Sequence, residues 1–338
     1  MSWAIWITGP PASGKSAIAG AVTAALRSRG RTVTWLELDE VRASVTPDPR
    51  YTEAERDRVY RALGYMATLL VEAGRPVIID ATAHRRVWRD LVRAAVPRFA
   101  EVQLMCPIEV CREREQTRSG HAPRNIYARA GRPGATVPGV DVPYEVARAP
   151  ELLIDTTADS LRGSVERVVG LVEHLEARSG APEAAMPETA TPAWAIWITG
   201  RPGAGNGGLA ARVLAALRDR GRHVRWLELA EVRRRVLGDA PPSEQDLDLV
   251  HRALGYAAKL LTEAGTPVIV DARGAMGAER RTGPELIPHV TEIEIPGWGE
   301  ASGTGPAATP TIEDRATAQV LSAVEGLIGR SRRPVGAL

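Results

Sequence analysis

Trp3-Ala4-Ile5-Trp6-Ile7-Thr8-Gly9-Pro10-Pro11-Ala12-Ser13-Gly14-Lys15-Ser16 is the stretch that decides the fold of this chain. Trp3 to Ile7 is an apolar run suited to a buried strand. Gly9 to Ser16 then reads G-x-x-x-x-G-K-S, the phosphate-binding loop, and Ala17 to Val22 continues as the first turn of a helix. Strand, glycine-rich loop and helix in that order give the pattern a mechanism. The glycines let backbone N–H groups face a polyphosphate, and the helix N-terminus adds positive field. Lys15 can reach the β- and γ-phosphates, and the Ser16 hydroxyl can hold Mg²⁺. A nucleoside triphosphate with Mg²⁺ is therefore the expected ligand of Gly9–Ser16.

Base usage sharpens the reading. Of 43 Lys plus Arg, lysine stands only at Lys15 and Lys259; every other basic residue is arginine. A phosphate-loop cation acts as a slim point charge on a flexible stem, and the first half keeps its single lysine at that position.

The length of 338 residues favours two domains, each long enough to bury a core. A hydrophobic share of 44% and a charged share of 25% are those of ordinary globular chains. A net charge of +2 gives no reason to expect nucleic acid or an acidic membrane surface as partner. Cys106 and Cys111 form one C-x₄-C pair with no second pair to complete a zinc site, and read as thiols in a reducing compartment. With no leader pattern and no apolar run of membrane length, a cytoplasmic protein is expected.

Trp3–Gly9 recurs as Trp194-Ala195-Ile196-Trp197-Ile198-Thr199-Gly200. The same spacing carries Trp35 to Trp226, Arg42 to Arg233, Tyr65 to Tyr256 and Asp80 to Asp271. Such constancy predicts a tandem duplication. The expected boundaries are a first domain over 1–178, a Pro-, Ala- and Thr-rich linker over 179–193, and a second domain over 194–338. Within the first copy, strands are expected over Thr32–Leu38, Pro76–Asp80, Ala100–Met105 and Glu151–Asp155. Helices are expected over Ala17–Arg29, Glu53–Ala73 and Leu161–Ala177. Alternation of this kind predicts an α/β fold, a parallel sheet between two layers of helices, with ligands beyond the carboxyl ends of the strands. Asp39, Asp80 and the phosphate loop fall at such ends.

The acceptor must come from later residues. Leu36-Glu37-Leu38-Asp39-Glu40-Val41-Arg42, Tyr51-Thr52-Glu53-Ala54-Glu55-Arg56 and Pro138-Gly139-Val140-Asp141-Val142-Pro143-Tyr144-Glu145 follow in order. Together with the loop they resemble the adenylylsulfate kinase family of P-loop kinases, from about Ile5 to Leu175. The family's patterns are L-D-G-D-x-[VIL]-R, F-S-x-x-D-R and T-G-[IV]-D-x-P-Y-E. The resemblance implies transfer of the ATP γ-phosphate to the 3′-hydroxyl of adenosine 5′-phosphosulfate. It implies that Asp39 orients or deprotonates that hydroxyl or holds Mg²⁺ through water, beside Lys15 as the other catalytic residue. Arg42 and Arg56 would bind the phosphosulfate, Tyr51 would offer its ring to the adenine, and Thr82 would line the acceptor pocket. The bland alternatives stand beside these: a strand-end cap for Asp39, solvated helix charges for the arginines.

Arg112, Arg114, Arg118, Arg124, Arg129 and Arg132 crowd one stretch, which reads as a lid over ATP or as a solvated basic helix. Arg114 and Arg129 match the family's C-x-x-R and A-R-x-G and are assigned to the nucleotide. Four departures thin out the acceptor pocket: Leu38 for glycine, Val59 for asparagine, Ala81-Thr82-Ala83-His84-Arg85 for I-S-P-Y-R, and Val137 for an aromatic. Another hydroxyl acceptor, or a non-catalytic ATP-binding scaffold, therefore remain alternatives.

In the second copy the loop is Gly200-Arg201-Pro202-Gly203-Ala204-Gly205-Asn206-Gly207. Lysine has become Asn206, the hydroxyl Gly207, the aspartate Ala230, and the counterpart of Arg56 is Leu247. Gly297–Pro306 replaces the lid. A charge-assisted hydrogen bond alone contributes about 1.5–3 kcal/mol, so a pseudokinase is expected, packed on the first copy as a pseudo-dimer or assembled as a homodimer.

Overall fold

The computed structural model describes residues 2–117, 125–177, 193–200, 208–238, 241–274, 283–295 and 312–331. The chain divides into two units, Met1–Thr189 and Ala190–Leu338.

The first unit begins with β1 (Ala4–Thr8), whose five residues are all buried. Alternate side chains leave opposite faces of a strand. Ile5 and Ile7 enter one core with Ile18, Val22 and Leu26 of helix α1 (Lys15–Arg27) and with Val168, Val169 and Val172 of helix α6 (Leu161–Ala177). Trp6 leaves the other face, fully buried, and its indole N–H donates to the Ala81 carbonyl at 2.9 Å. That second face lies under helix α3 (Glu53–Glu72), which packs on helix α4 (Arg86–Ala95). The three layers follow from a strand with large apolar groups on both sides.

Around β1 the remaining strands are β2 (Thr34–Glu37), β3 (Val77–Asp80), β4 (Phe99–Met105) and β5 (Leu152–Asp155). All pairings are parallel, in the order β2-β3-β1-β4-β5. β1 is thus flanked by β3 and β4, and the crevice beyond its carboxyl end is the ligand position such sheets offer. Gly30 and Gly74 end the chain's turns after α1 and α3 at φ 71° and 80°.

Two elements differ from the sequence expectation. β2 stops at Glu37, and helix α2 (Leu38–Val45) starts at once, so Asp39 sits in a first helical turn rather than at a strand end. Helix α4 was not expected at all. Helix α5 (Ile108–Thr117) carries the first of the crowded arginines; Arg118 and Arg124 lie outside the described residues.

The second unit holds β6 (Ala195–Gly200), helix α7 (Gly208–Asp219), β7 (Arg225–Glu228), helix α8 (Leu229–Leu237), helix α9 (Glu244–Glu263), β8 (Val268–Asp271), β9 (Val290–Ile295) and helix α10 (Ile312–Ser331). Its sheet is parallel, in the order β7-β8-β6-β9. Ile196, Ile198, Val213, Leu217, Val320 and Val324 form its core. A capping box between Ser243 and Asp246 starts α9. Residues 179–192 of the expected linker, Arg201–Gly207 of the second loop and Gly297–Pro306 lie outside the described residues.

Candidate active site

The phosphate loop folds as its glycines require. Gly14, at φ 102°, is the N-cap of α1, and no side chain caps that helix end. No acidic residue stands in the first turn of α1 either. A Cβ on Gly9 would lie 2.6 Å from Ser13 Oγ and 3.0 Å from Leu104 Cβ, so only glycine fits there. Ala12 also takes a positive φ of 59°. Lys15 Nζ donates to the carbonyls of Gly9 at 3.2 Å and Pro10 at 2.8 Å. An uncapped helix end, a tight glycine-lined turn and one lysine suit a polyphosphate.

Above the loop opens a chamber of about 290 Å³. Lys15, Ser16, Asp39, Asp80, Thr82 and Arg114 are among its walls. Asp80 reaches it because β3 ends there, and Asp39 because α2 starts directly on β2. Ser16 and the two carboxylates are oxygen donors of the kind Mg²⁺ shares with substrate phosphates, so the residues present fit that ion. Arg114 is held in the wall by Thr156, whose hydroxyl and carbonyl accept from it at 2.9 and 2.7 Å.

A second chamber of about 560 Å³ adjoins the first. The two share Pro11, Leu38, Asp39, Thr82 and Ile126 as walls. Arg42, Arg50, Tyr51, Arg56, Arg129 and Arg132 line the second. The buried Arg42 pairs with Glu55 at 3.1 Å and lies 5.2 Å from the Tyr51 ring centroid. Arg56 donates to the Tyr51 carbonyl at 3.2 Å and to the Thr136 hydroxyl at 2.8 Å. Burial lowers the pKa of the Arg56 guanidinium, with neighbouring Tyr60 acting the other way. Arginines partly withdrawn from water around one aromatic ring suit an anionic ligand with a flat group.

The structure thus brings Lys15, Ser16, Asp39, Thr82 and Arg114 to one chamber and Arg42, Tyr51 and Arg56 to the next, with Asp39 and Thr82 on both. Arg129, grouped with Arg114 from sequence, lines the second chamber instead. Gly9, Pro10 and Ser13 shape the loop from behind, while Pro11, Ala12 and Gly14 face the chamber.

Pro143-Tyr144-Glu145 lines neither chamber. Tyr144 Oη lies 2.8 Å from Thr8 Oγ1 and accepts from Gln103 at 3.1 Å. The Glu145 carboxylate accepts the Arg86 N–H at 2.9 Å, and its own N–H donates to the His84 carbonyl at 2.7 Å. The segment ties α4 to the sheet end. Asp141 accepts from Gly131 and Val137, both at 2.8 Å, closing the loop that walls the second chamber. Val137 is buried with Cys111 and Tyr127. Where the I-S-P-Y-R pattern carries proline, Ala83 stands at φ 39°, which a proline ring cannot adopt.

Sequence reasoning missed three groups: Tyr60, whose hydroxyl accepts the Ala83 N–H at 2.9 Å; Arg89, which is fully buried; and Tyr127, whose hydroxyl donates to the Pro11 carbonyl at 2.8 Å. An arginine one turn beyond a motif segment, among other arginines, carries no sequence signal of burial.

In the second unit, Arg273 follows β8 where Thr82 follows β3. Its guanidinium pairs with Asp271 at 2.8 Å through Nε and 2.5 Å through Nη2. No described group of three or more His, Cys, Asp or Glu could hold a metal, and no described helix is long and apolar enough to cross a membrane.

Comparison with known proteins gives a consistent result. The adenylylsulphate kinase family matches over residues 1–155 and 192–295. The bifunctional enzyme NodQ of Azospirillum brasilense is 38% identical over 172 residues, 50% of this chain and 26% of that protein; the chain thus spans about a quarter of that relative's length. The adenylyl-sulfate kinase of Bacillus pumilus is 37% identical over 176 residues, 50% of this chain and 84% of that protein. Among solved structures, the Mycobacterium tuberculosis APS kinase in complex with AMPPNP and APS is 28% identical, with a TM-score of 0.45, covering 51% of this chain and 98% of that one.

Proposed function

The chain belongs to the adenylylsulphate kinase family, and on that premise we propose that its first unit transfers the γ-phosphate of ATP to the 3′-hydroxyl of adenosine 5′-phosphosulfate. The observation that carries the reading is the pair of adjoining chambers with Asp39 and Thr82 on both. A phosphate-loop chamber beside an arginine-lined one gives donor and acceptor separate seats, with one carboxylate where the phosphoryl group passes. Phosphoryl transfer asks mainly for positioning and electrostatics. Asp39 orients the acceptor hydroxyl and takes its proton. Lys15 and Arg114 meet charge on the donor phosphates, and Ser16 supplies an oxygen to Mg²⁺, which neutralises the developing charge when bound. Arg42, Arg56 and Arg129 hold the acceptor's anionic end, and Tyr51 its base. A cytoplasmic location is the corollary.

The second unit, in this reading, is a degenerate copy of the first. Asn206 and Gly207 stand where lysine and serine would act, Ala230 where Asp39 acts, and Arg273 supplies an internal counter-ion to Asp271.

The test is purified protein with Mg-ATP and adenylylsulfate, following ADP and 3′-phosphorylated product. Product that disappears in Lys15→Ala supports the reading. The buried Val137 favours a second one: with Tyr51 as the aromatic wall of the second chamber, another anionic alcohol is the acceptor. ATP turnover with that acceptor and none with adenylylsulfate would decide for it. Nucleotide binding without turnover on any acceptor would leave a scaffold.

A further inference from the structure

The segment Ala81–His84 leaves the end of β3 and carries Thr82 to the boundary of the two chambers. Each of its four carbonyls is taken by a different group. Ala81 accepts from the Trp6 indole at 2.9 Å and Thr82 from the Thr8 hydroxyl at 2.6 Å. Ala83 accepts from Arg89, and His84 from the Glu145 N–H at 2.7 Å. The Ala83 N–H goes to the Tyr60 hydroxyl at 2.9 Å.

Ala83 needs this. Its φ of 39° lies in the left-handed region, which a residue with a Cβ holds only where the surroundings over-determine it. The clamps are themselves held. Tyr60 stacks on Trp88 at 4.2 Å between ring centroids, and Trp88 donates to Asp57 at 2.8 Å. Arg89 is fully buried and pairs with Glu101 at 2.6 Å while donating to the Glu145 carbonyl at 2.6 Å.

We propose that Tyr60 and Arg89 are positioning residues for phosphoryl transfer: by gripping the N–H and C=O of Ala83 they hold Thr82 at the wall common to both chambers. This rests on the kinase reading above. The grip faces the acceptor side, since Tyr60 lines the second chamber and not the first. Its loss therefore acts more on the acceptor than on the nucleotide.

The experiment measures kcat and KM for ATP and for adenylylsulfate in the wild type, Tyr60→Phe and Ala83→Pro, with thermal unfolding as a check on folding. Tyr60→Phe keeps the ring stack and removes one hydrogen bond. It should raise the acceptor KM or lower kcat by about five- to tenfold while changing the ATP KM far less. Ala83→Pro removes the N–H and forbids the positive φ, and should lose acceptor turnover while still binding ADP. Wild-type kinetics in Tyr60→Phe, or equal rises in both KM values, overturn the positioning role alone. A wild type that turns over no adenylylsulfate overturns the assigned reaction and the role with it.

Discussion

The Tyr127 hydroxyl donates to the carbonyl of Pro11 at 2.8 Å, fastening the stretch after α5 to the phosphate loop. Glu115 secures the same point, accepting from the Ile126 and Tyr127 N–H groups at 2.6 and 3.1 Å. Loop geometry thus depends on a residue more than a hundred positions away. Tyr127→Phe removes one neutral hydrogen bond and should raise the ATP KM by about fivefold, with a smaller change in the acceptor KM, since Pro11 also walls the second chamber. Steady-state kinetics with each substrate varied in turn checks it.

Asp39 stands on both chambers. Asp39→Asn keeps the shape and loses the base. It should lower kcat by about a hundredfold or more, while binding of ADP without Mg²⁺, measured by calorimetry, stays at the wild-type level.

His84 is buried beside Trp88, with Glu53 at 3.5 Å. Burial lowers its pKa from 6.5, against the opposing pull of Glu53. The unfolded chain therefore takes up a proton that the folded one resists. Stability should fall as pH drops through about 6.5, well above the range where carboxylates titrate. Melting temperature followed from about pH 7.5 to 5.5 should decline less in His84→Asn than in the wild type.

Cys111 is fully buried, and burial with Cys106 alongside pushes its thiol up to about 12. Cys106 is half-exposed. Alkylation of the native protein near neutral pH should mark Cys106 and leave Cys111 unmodified until denaturant is added, as read by mass spectrometry of the digest.

Arg89 and Glu101 form a buried pair. Arg89→Met leaves the Glu101 charge without that partner and should cost about 3–5 kcal/mol of stability, measured by urea unfolding.

β1, β3 and β5 were legible because each is a short apolar run ended by a carboxylate or a glycine turn, and Leu161–Ala177 because its apolar spacing is unbroken. α2 was hidden: strand passes to helix between Glu37 and Leu38 with no turn residue and no capping side chain to mark the change. α4 was hidden for another reason. Trp88, Arg89 and Val92 are its buried residues; Val87, Trp88, Leu91 and Val92 do recur at helical spacing, but Val87 and Leu91 are exposed and an arginine takes a place on the inward face. At the site, Lys15 and Ser16 followed from local spacing alone, whereas Asp39 was singled out by the family resemblance and read at a strand end. Arg129 moved chambers because its neighbours are set by Asp141 closing a loop, which no local pattern encodes. Tyr144 carried a family signature whose physical work, a brace on Thr8 and Gln103, exists only once the sheet is assembled.

The shared wall of Pro11, Leu38, Asp39, Thr82 and Ile126 bears on inhibition. Because the two seats share these walls, one molecule joining a nucleoside polyphosphate to an anionic partner would engage both. Tethering turns the second contact into an intramolecular event and multiplies affinity without new interactions. Such a bisubstrate ligand would have to pass Asp39, so its bridge should carry a hydrogen-bond donor there rather than a further negative charge.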